Sequence, residues 1–185
     1  MADVVDLIKA QHRTMDALLE QAQQAEPDEV RDLLRQVADL LTPHSAAEED
    51  FVYPAIREYD RSEEDEVRDG TAEHHHIEEL MRELLAEDPS GPGYDGKLAA
   101  MVGELRHHVE EEEEDLLPVL SREASDDERE ELGARFAEVT GHRDDDLPVD
   151  DDLTRDELYE QAKEQGVEGR SSMSKEELAR AVERS

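Results

Sequence analysis

Two stretches of the chain repeat one pattern of histidine, carboxylate and proline. His44 to Pro54 reads HSAAEEDFVYP, His108 to Pro118 reads HVEEEEEDLLP, and the two align without a gap. Each places a His four residues before a Glu (His44 and Glu48, His108 and Glu112) and reaches a Pro ten positions after the His. A four-residue step on a helix returns to nearly the same face, so each pair can aim one imidazole and one carboxylate at a common point. One such pair is ordinarily a surface ion pair. Two in register are what a two-metal site inside a helical bundle requires.

The elements that must position these pairs show as apolar stripes at steps of three and four. Val5, Ile8, His12, Met15, Leu19 and Ala22 mark a first helix over residues 3 to about 25, with a histidine set into the stripe. Pro27 suits the first turn of a second helix, which carries Leu33, Leu34, Val37, Leu40, Leu41, His44, Glu48, Phe51 and Val52. Pro43 lies inside it, and a kink or widening is expected just before His44. A third helix holds Val67, Thr71, His74, Ile77, Met81, Leu84 and Leu85, and DPSGPG at 88–93 stops it. The fourth carries Leu98, Met101, Leu105, His108, Glu112, Leu116 and Val119. Ser125 and the acids after it cap a shorter fifth with Leu132, Phe136 and Val139.

The expected fold is all-α: an up-down-up-down four-helix bundle with a short fifth helix over residues 1–142. An acidic linker follows at 143–152, then a small helix-loop-helix module at 153–185. Two capping-box pairs, Thr154 with Glu157 and Ser174 with Glu177, open the helices of that module.

Each bundle helix offers one imidazole from its apolar stripe: His12, His44, His74 and His108. On the third helix the facing rules favour His74 over His75, which shares its side with Glu79 and Arg82. His107 is expected on the solvent side, paired with Glu111, and His142 at the surface. Asp16, one turn after His12, is expected to support that histidine without binding metal. Of the run EEEEED, only Glu112 needs to point inward. Imidazole and carboxylate together suit a first-row transition metal, iron above all for oxygen chemistry. The spacing differs from ferritin-like bundles, where Glu precedes His by three residues, and the HExxH of zinc proteases is absent.

On the motifs DLIKAQHRTMDALL, HSAAEEDFVYP, AEHHHIEELM and HVEEEEEDLLP, the chain resembles the hemerythrin HHE cation-binding family over about residues 4–122. The resemblance implies a four-helix bundle around two non-haem irons with an oxo or hydroxo bridge. It implies His12, His44, His74 and His108 as ligands, with Glu48 and Glu112 as bridging carboxylates. Oxygen carriers of that family place a second His four residues after the third-helix His. Here that position is Glu78, the candidate for the missing donor. The exchange argues against reversible oxygen storage. It leaves oxygen or nitric oxide binding and sensing, peroxide handling, ferroxidase or iron storage, and iron sensing as the roles implied.

Composition narrows the setting. Among 185 residues, Asp and Glu outnumber Lys and Arg 54 to 20, a formal net charge of −34 that opposes sequence-independent binding to nucleic acid or anionic membrane. Cysteine is absent, which removes disulfides, thiolate sites and Cys nucleophiles. No signal peptide or membrane-spanning run is read, so a cytoplasmic location is expected. From Leu153 onward six basic and eight acidic residues leave the module nearly neutral. LTRDELYEQAKEQGVEGRSSMSKEELARAV resembles the N-terminal helix-loop-helix of the Rho transcription terminator, which is similar to SAP-type modules. That resemblance implies weak nucleic-acid or protein contact, with Arg155, Lys163, Arg170, Lys175, Arg180 and Arg184 as phosphate contacts.

Overall fold

A computed structural model describes residues 2–141, and every regular element among them is helical. Helix α1 (Val4–Gln24) begins at Asp3, whose carboxylate accepts the Val5 N–H at 2.9 Å. Helix α2 (Pro27–Ala47) opens on its proline, which lacks the N–H that a first turn could not satisfy anyway. A wide π-helical turn, Glu48–Val52, passes into α3 (Tyr53–Tyr59). Helix α4 (Glu64–Ala86) follows, and Gly93, at φ 88°, turns the chain into α5 (Tyr94–Glu111). A second π turn, Glu112–Leu116, leads into α6 (Leu117–Glu123), and α7 (Asp126–Thr140) starts from a capping box between Ser125 and Glu128.

Cross-helix bonds fix the directions. Arg31 reaches the Glu87 carbonyl while Glu49 meets His74, so α2 runs against α4. Lys97 pairs with Glu83 and His108 with Glu73, so α5 runs against α4. Asp16 pairs with Arg106 and His12 with Glu113, so α5 and its continuation run against α1. The four rods form the expected antiparallel bundle.

One half of its interior is apolar, built on Met15, Leu19, Leu34, Val37, Leu41, Ile77, Met81, Leu84, Leu98, Met101 and Leu105. Beyond the histidines a second apolar layer holds Leu7, Ile8, Val52, Ile56, Leu117 and Leu120, all fully buried. The site therefore lies between two dry layers.

The fifth helix seals this layer. Arg129 of α7 donates to Asp3 at 2.6 Å, and Phe136, fully buried, sets its ring edge-on to His44 at 5.6 Å. Gly133 allows the closest approach, because a Cβ there would lie 2.1 Å from the Ala2 carbonyl oxygen.

The widening falls elsewhere than expected. Helix α2 runs through Pro43 unbroken, and the wide turn begins four residues after His44, at Glu48. The second half shows why. It has His107 at the place of Pro43, yet forms the same wide turn from Glu112. What the halves share is the later proline, Pro54 and Pro118. A proline inside a helix clashes with the carbonyl four residues back, and a longer turn ahead of it relieves the clash. Tyr53 N–H bonds the Glu48 carbonyl, and Leu117 N–H that of Glu112, closing the two turns.

Candidate metal centre

His12, His44, Glu48 and Glu112 offer ligand atoms within 4.8 Å of one another, and Glu48, His74 and His108 form a second such group. All six residues are buried. Glu48 belongs to both groups: its Oε1 lies 3.0 Å from His44 Nε2 and its Oε2 3.2 Å from His74 Nε2. One carboxylate thus spans two sets of imidazoles. Glu112 Oε2 lies 3.2 Å from His12 Nε2.

The opposite edge of each ring is held from a neighbouring helix. Nδ1–H of His12 donates to Glu113 at 2.9 Å, and that of His44 to Gln11 at 2.9 Å. His74 donates to Glu49 at 3.1 Å and His108 to Glu73 at 3.0 Å. In the neutral ring, Nδ1 carries the proton and Nε2 is the atom left to face the centre and bind a cation. Among the described residues, the buried side-chain atoms without a hydrogen bond include both oxygens of Glu48 and Glu112 and Nε2 of His74 and His108. Buried polar groups are normally satisfied, so this gathering of orphaned nitrogen and oxygen donors fits a cation.

The electrostatics follow from burying two carboxylates among four imidazoles. Burial alone would lower the His12 pKa, but the Glu112 and Glu113 carboxylates beside it push it up to about 9. His74, likewise opposed by burial, is pushed up to about 10 by Glu48 and Glu49. Burial wins at His44, whose pKa falls. Glu48 resists the upward pull of burial and is held well below the usual carboxylate range by His44 and His74. Burial, then the charges of Glu112 and Glu48, hold the Tyr53 phenol well above the usual tyrosine range.

As the facing rules suggest, His74 lies with Glu48 and His108 while His75 is 68% exposed on its side chain, and His107 pairs with Glu111 on the surface at 3.3 Å. Glu78 is half-buried and belongs to neither group. Asp16 does not support His12; it bonds Arg106 at 2.6 Å on the surface. Glu113, assigned to the solvated run, does that work instead. Gln11, Glu49 and Glu73 were also missed. The signal was present, because Glu49 and Glu113 each follow the repeated Glu, and Gln11 and Glu73 each precede a site histidine. His142, the acidic linker and the C-terminal module lie outside the described residues.

An antiparallel helical bundle that turns four imidazoles and two carboxylates onto a buried point is a bundle-type cation-binding protein. The chain belongs to the hemerythrin HHE cation-binding domain family, whose model matches residues 3–120. Among curated proteins it is similar to a DNA nickase of Nostoc sp. (strain PCC 7120 / SAG 25.82 / UTEX 2576), 25% identical over 136 residues. That match covers 72% of this chain and 38% of the relative's length. No solved structure matches the chain. Among the described residues no helix is long and apolar enough to cross a membrane.

Proposed function

We propose that the bundle holds two non-haem irons, one between His12 and His44 and the other between His74 and His108, with Glu48 and Glu112 between the pairs. Its role is to bind a small ligand (dioxygen, nitric oxide or peroxide) for sensing or turnover. The carrying observation is Glu48, whose two oxygens address imidazoles of both groups. Two imidazoles per metal and shared carboxylates leave coordination positions for an outside ligand, and a nitrogen–oxygen set without sulfur suits iron in oxygen chemistry. A crevice of about 10 Å³, close to the space of one water, has His108 and Glu112 of the centre in its lining together with Gly70.

The test is anaerobic loading with ferrous iron, a count of metal per chain, then admission of oxygen while the visible spectrum is followed. About two irons per chain with a reversible spectral change supports binding or sensing. Irreversible oxidation points to ferroxidase or storage chemistry, and consumption of added peroxide to an enzyme. Uptake of zinc alone, or of one metal per chain, overturns the proposal.

A further inference from the structure

The two halves of the bundle repeat each other closely enough for one to serve as the control for the other. Counting from the site histidines, His12 corresponds to His74 and His44 to His108. The position nine residues after the second-helix or fourth-helix His is Tyr53 in one half and Leu117 in the other. The position four residues before the first-helix or third-helix His is Ile8 in one half and Gly70 in the other. Leu117 and Ile8 are both fully buried apolar side chains. On the His74 side this apolar pair is replaced by a phenol and a glycine. The two replacements belong together, since a Cβ on Gly70 would lie 3.1 Å from Tyr53 Oη.

We propose that Tyr53 is the hydrogen-bond donor to a small anionic ligand bound on the His74–His108 half of the centre. The π turn places it there. Its N–H closes that turn onto the Glu48 carbonyl, and its ring, 1% exposed, stacks on His74 at 5.7 Å with an interplanar angle of 8°. Tyr53 Oη is buried without a hydrogen bond, as are the inward-facing atoms of Glu48, Glu112, His74 and His108. A phenol donates one O–H, and the acceptor within its reach in the protein is Glu112, a carboxylate whose oxygens a bound cation would claim. Gly70 keeps the space open: it lines a crevice with His108 and Glu112, and a Cβ there would meet both Tyr53 Oη at 3.1 Å and His108 Cε1 at 3.7 Å. An anion entering there would sit between the metal and the O–H.

The proposal rests on the di-iron reading, and azide is the probe that separates the two. Wild type, Tyr53→Phe and Gly70→Ala are loaded with ferrous iron, oxidised in air, assayed for iron and titrated with azide. Tyr53→Phe retains the ring stack and the full iron content but binds azide about tenfold more weakly, the loss of one hydrogen bond to a charged acceptor. The infrared azide stretch shifts in D₂O in wild type and not in Tyr53→Phe. Gly70→Ala keeps the phenol, yet weakens azide in the same direction because the new methyl displaces Oη. Equal azide affinity in wild type and Tyr53→Phe, with iron uptake intact, overturns this proposal alone. So does loss of iron with azide affinity per loaded site unchanged, which would make Tyr53 a positioning residue for Glu112. A tyrosinate-to-iron charge-transfer band in wild type overturns it by making the phenol a ligand. Failure of wild type to take up iron overturns both readings.

Discussion

An imidazole that binds a metal through Nε2 must keep its proton on Nδ1, and each of the four here has an acceptor to hold that proton. The acceptors are paired across the bundle: Gln11 and Glu73 each reach the next histidine within their own half, while Glu49 and Glu113 each reach a histidine of the other half. Such partners set ring orientation and ligand basicity, and their loss typically weakens metal binding about 10- to 100-fold. Glu113→Ala and Glu49→Ala, which remove the acceptor, should each do so in a chelator competition titration, whereas Asp16→Ala and Glu78→Gln should leave affinity unchanged. The raised histidines make a second prediction. Metal binds neutral imidazole, but with pKa values of about 9 and about 10, His12 and His74 carry an extra proton at pH 7 in the metal-free protein. Loading at that pH should therefore release about two protons per chain, and affinity should rise with pH toward that range. Calorimetry in buffers of different ionisation enthalpy counts those protons, and a release near zero would show that the rings are already neutral.

At the scale of the helix, the apolar stripes foretell the rods because burial on one face needs a recurrence of three and four, and every histidine that the stripes select is buried in the site. The π turns were less legible. Pro43 is the more visible disruption within a single helix, and only the comparison with the second half, where His107 stands in its place, moves the cause to Pro54 and Pro118. Glu113 was hidden for a related reason. In a run of acids, periodicity does not separate one that faces solvent from one that reaches an imidazole 101 residues away in sequence. Helix α7 was expected from its cap and stripe, but nothing in its own residues says that it covers the site; that follows only from Phe136 meeting His44. Phe136→Ala should cost about 3–5 kcal/mol in urea unfolding, as deletion of a buried aromatic ring does. It should also open His44 to solvent, read as faster metal loss to a chelator. A loss of stability with no change in metal release would confine α7 to packing.

For the molecule as a whole, the metal-free site is a source of pH-dependent stability whose sign can be worked out. His12 and His74 have folded pKa values above the ordinary 6.5, so the stability they contribute is fully present below pH 6.5 and is lost as pH rises to about 9 and about 10. Glu48 is depressed, so its contribution is present above the ordinary carboxylate value of 4.5 and is lost only on strong acidification. The formal charge of −34 compounds the alkaline loss, because every proton that leaves an imidazole adds to the self-repulsion of an already acidic chain. Bound cations act in the opposite direction, since they replace those protons at the same atoms and their hold strengthens as proton competition fades. At a metal concentration about 100 times Kd the bound form gains about 2.7 kcal/mol per site, and Kd itself falls with pH. The gap in Tm between ferrous-loaded and metal-free protein, measured anaerobically at fixed protein and metal concentration, should therefore widen from pH 6.5 to 8.5. Added salt should shrink the surface contribution while leaving the buried one largely in place, because a buried pair is screened far less than an exposed one. A gap that stays flat or narrows over that pH range would mean that protons and metal do not compete for the same imidazoles.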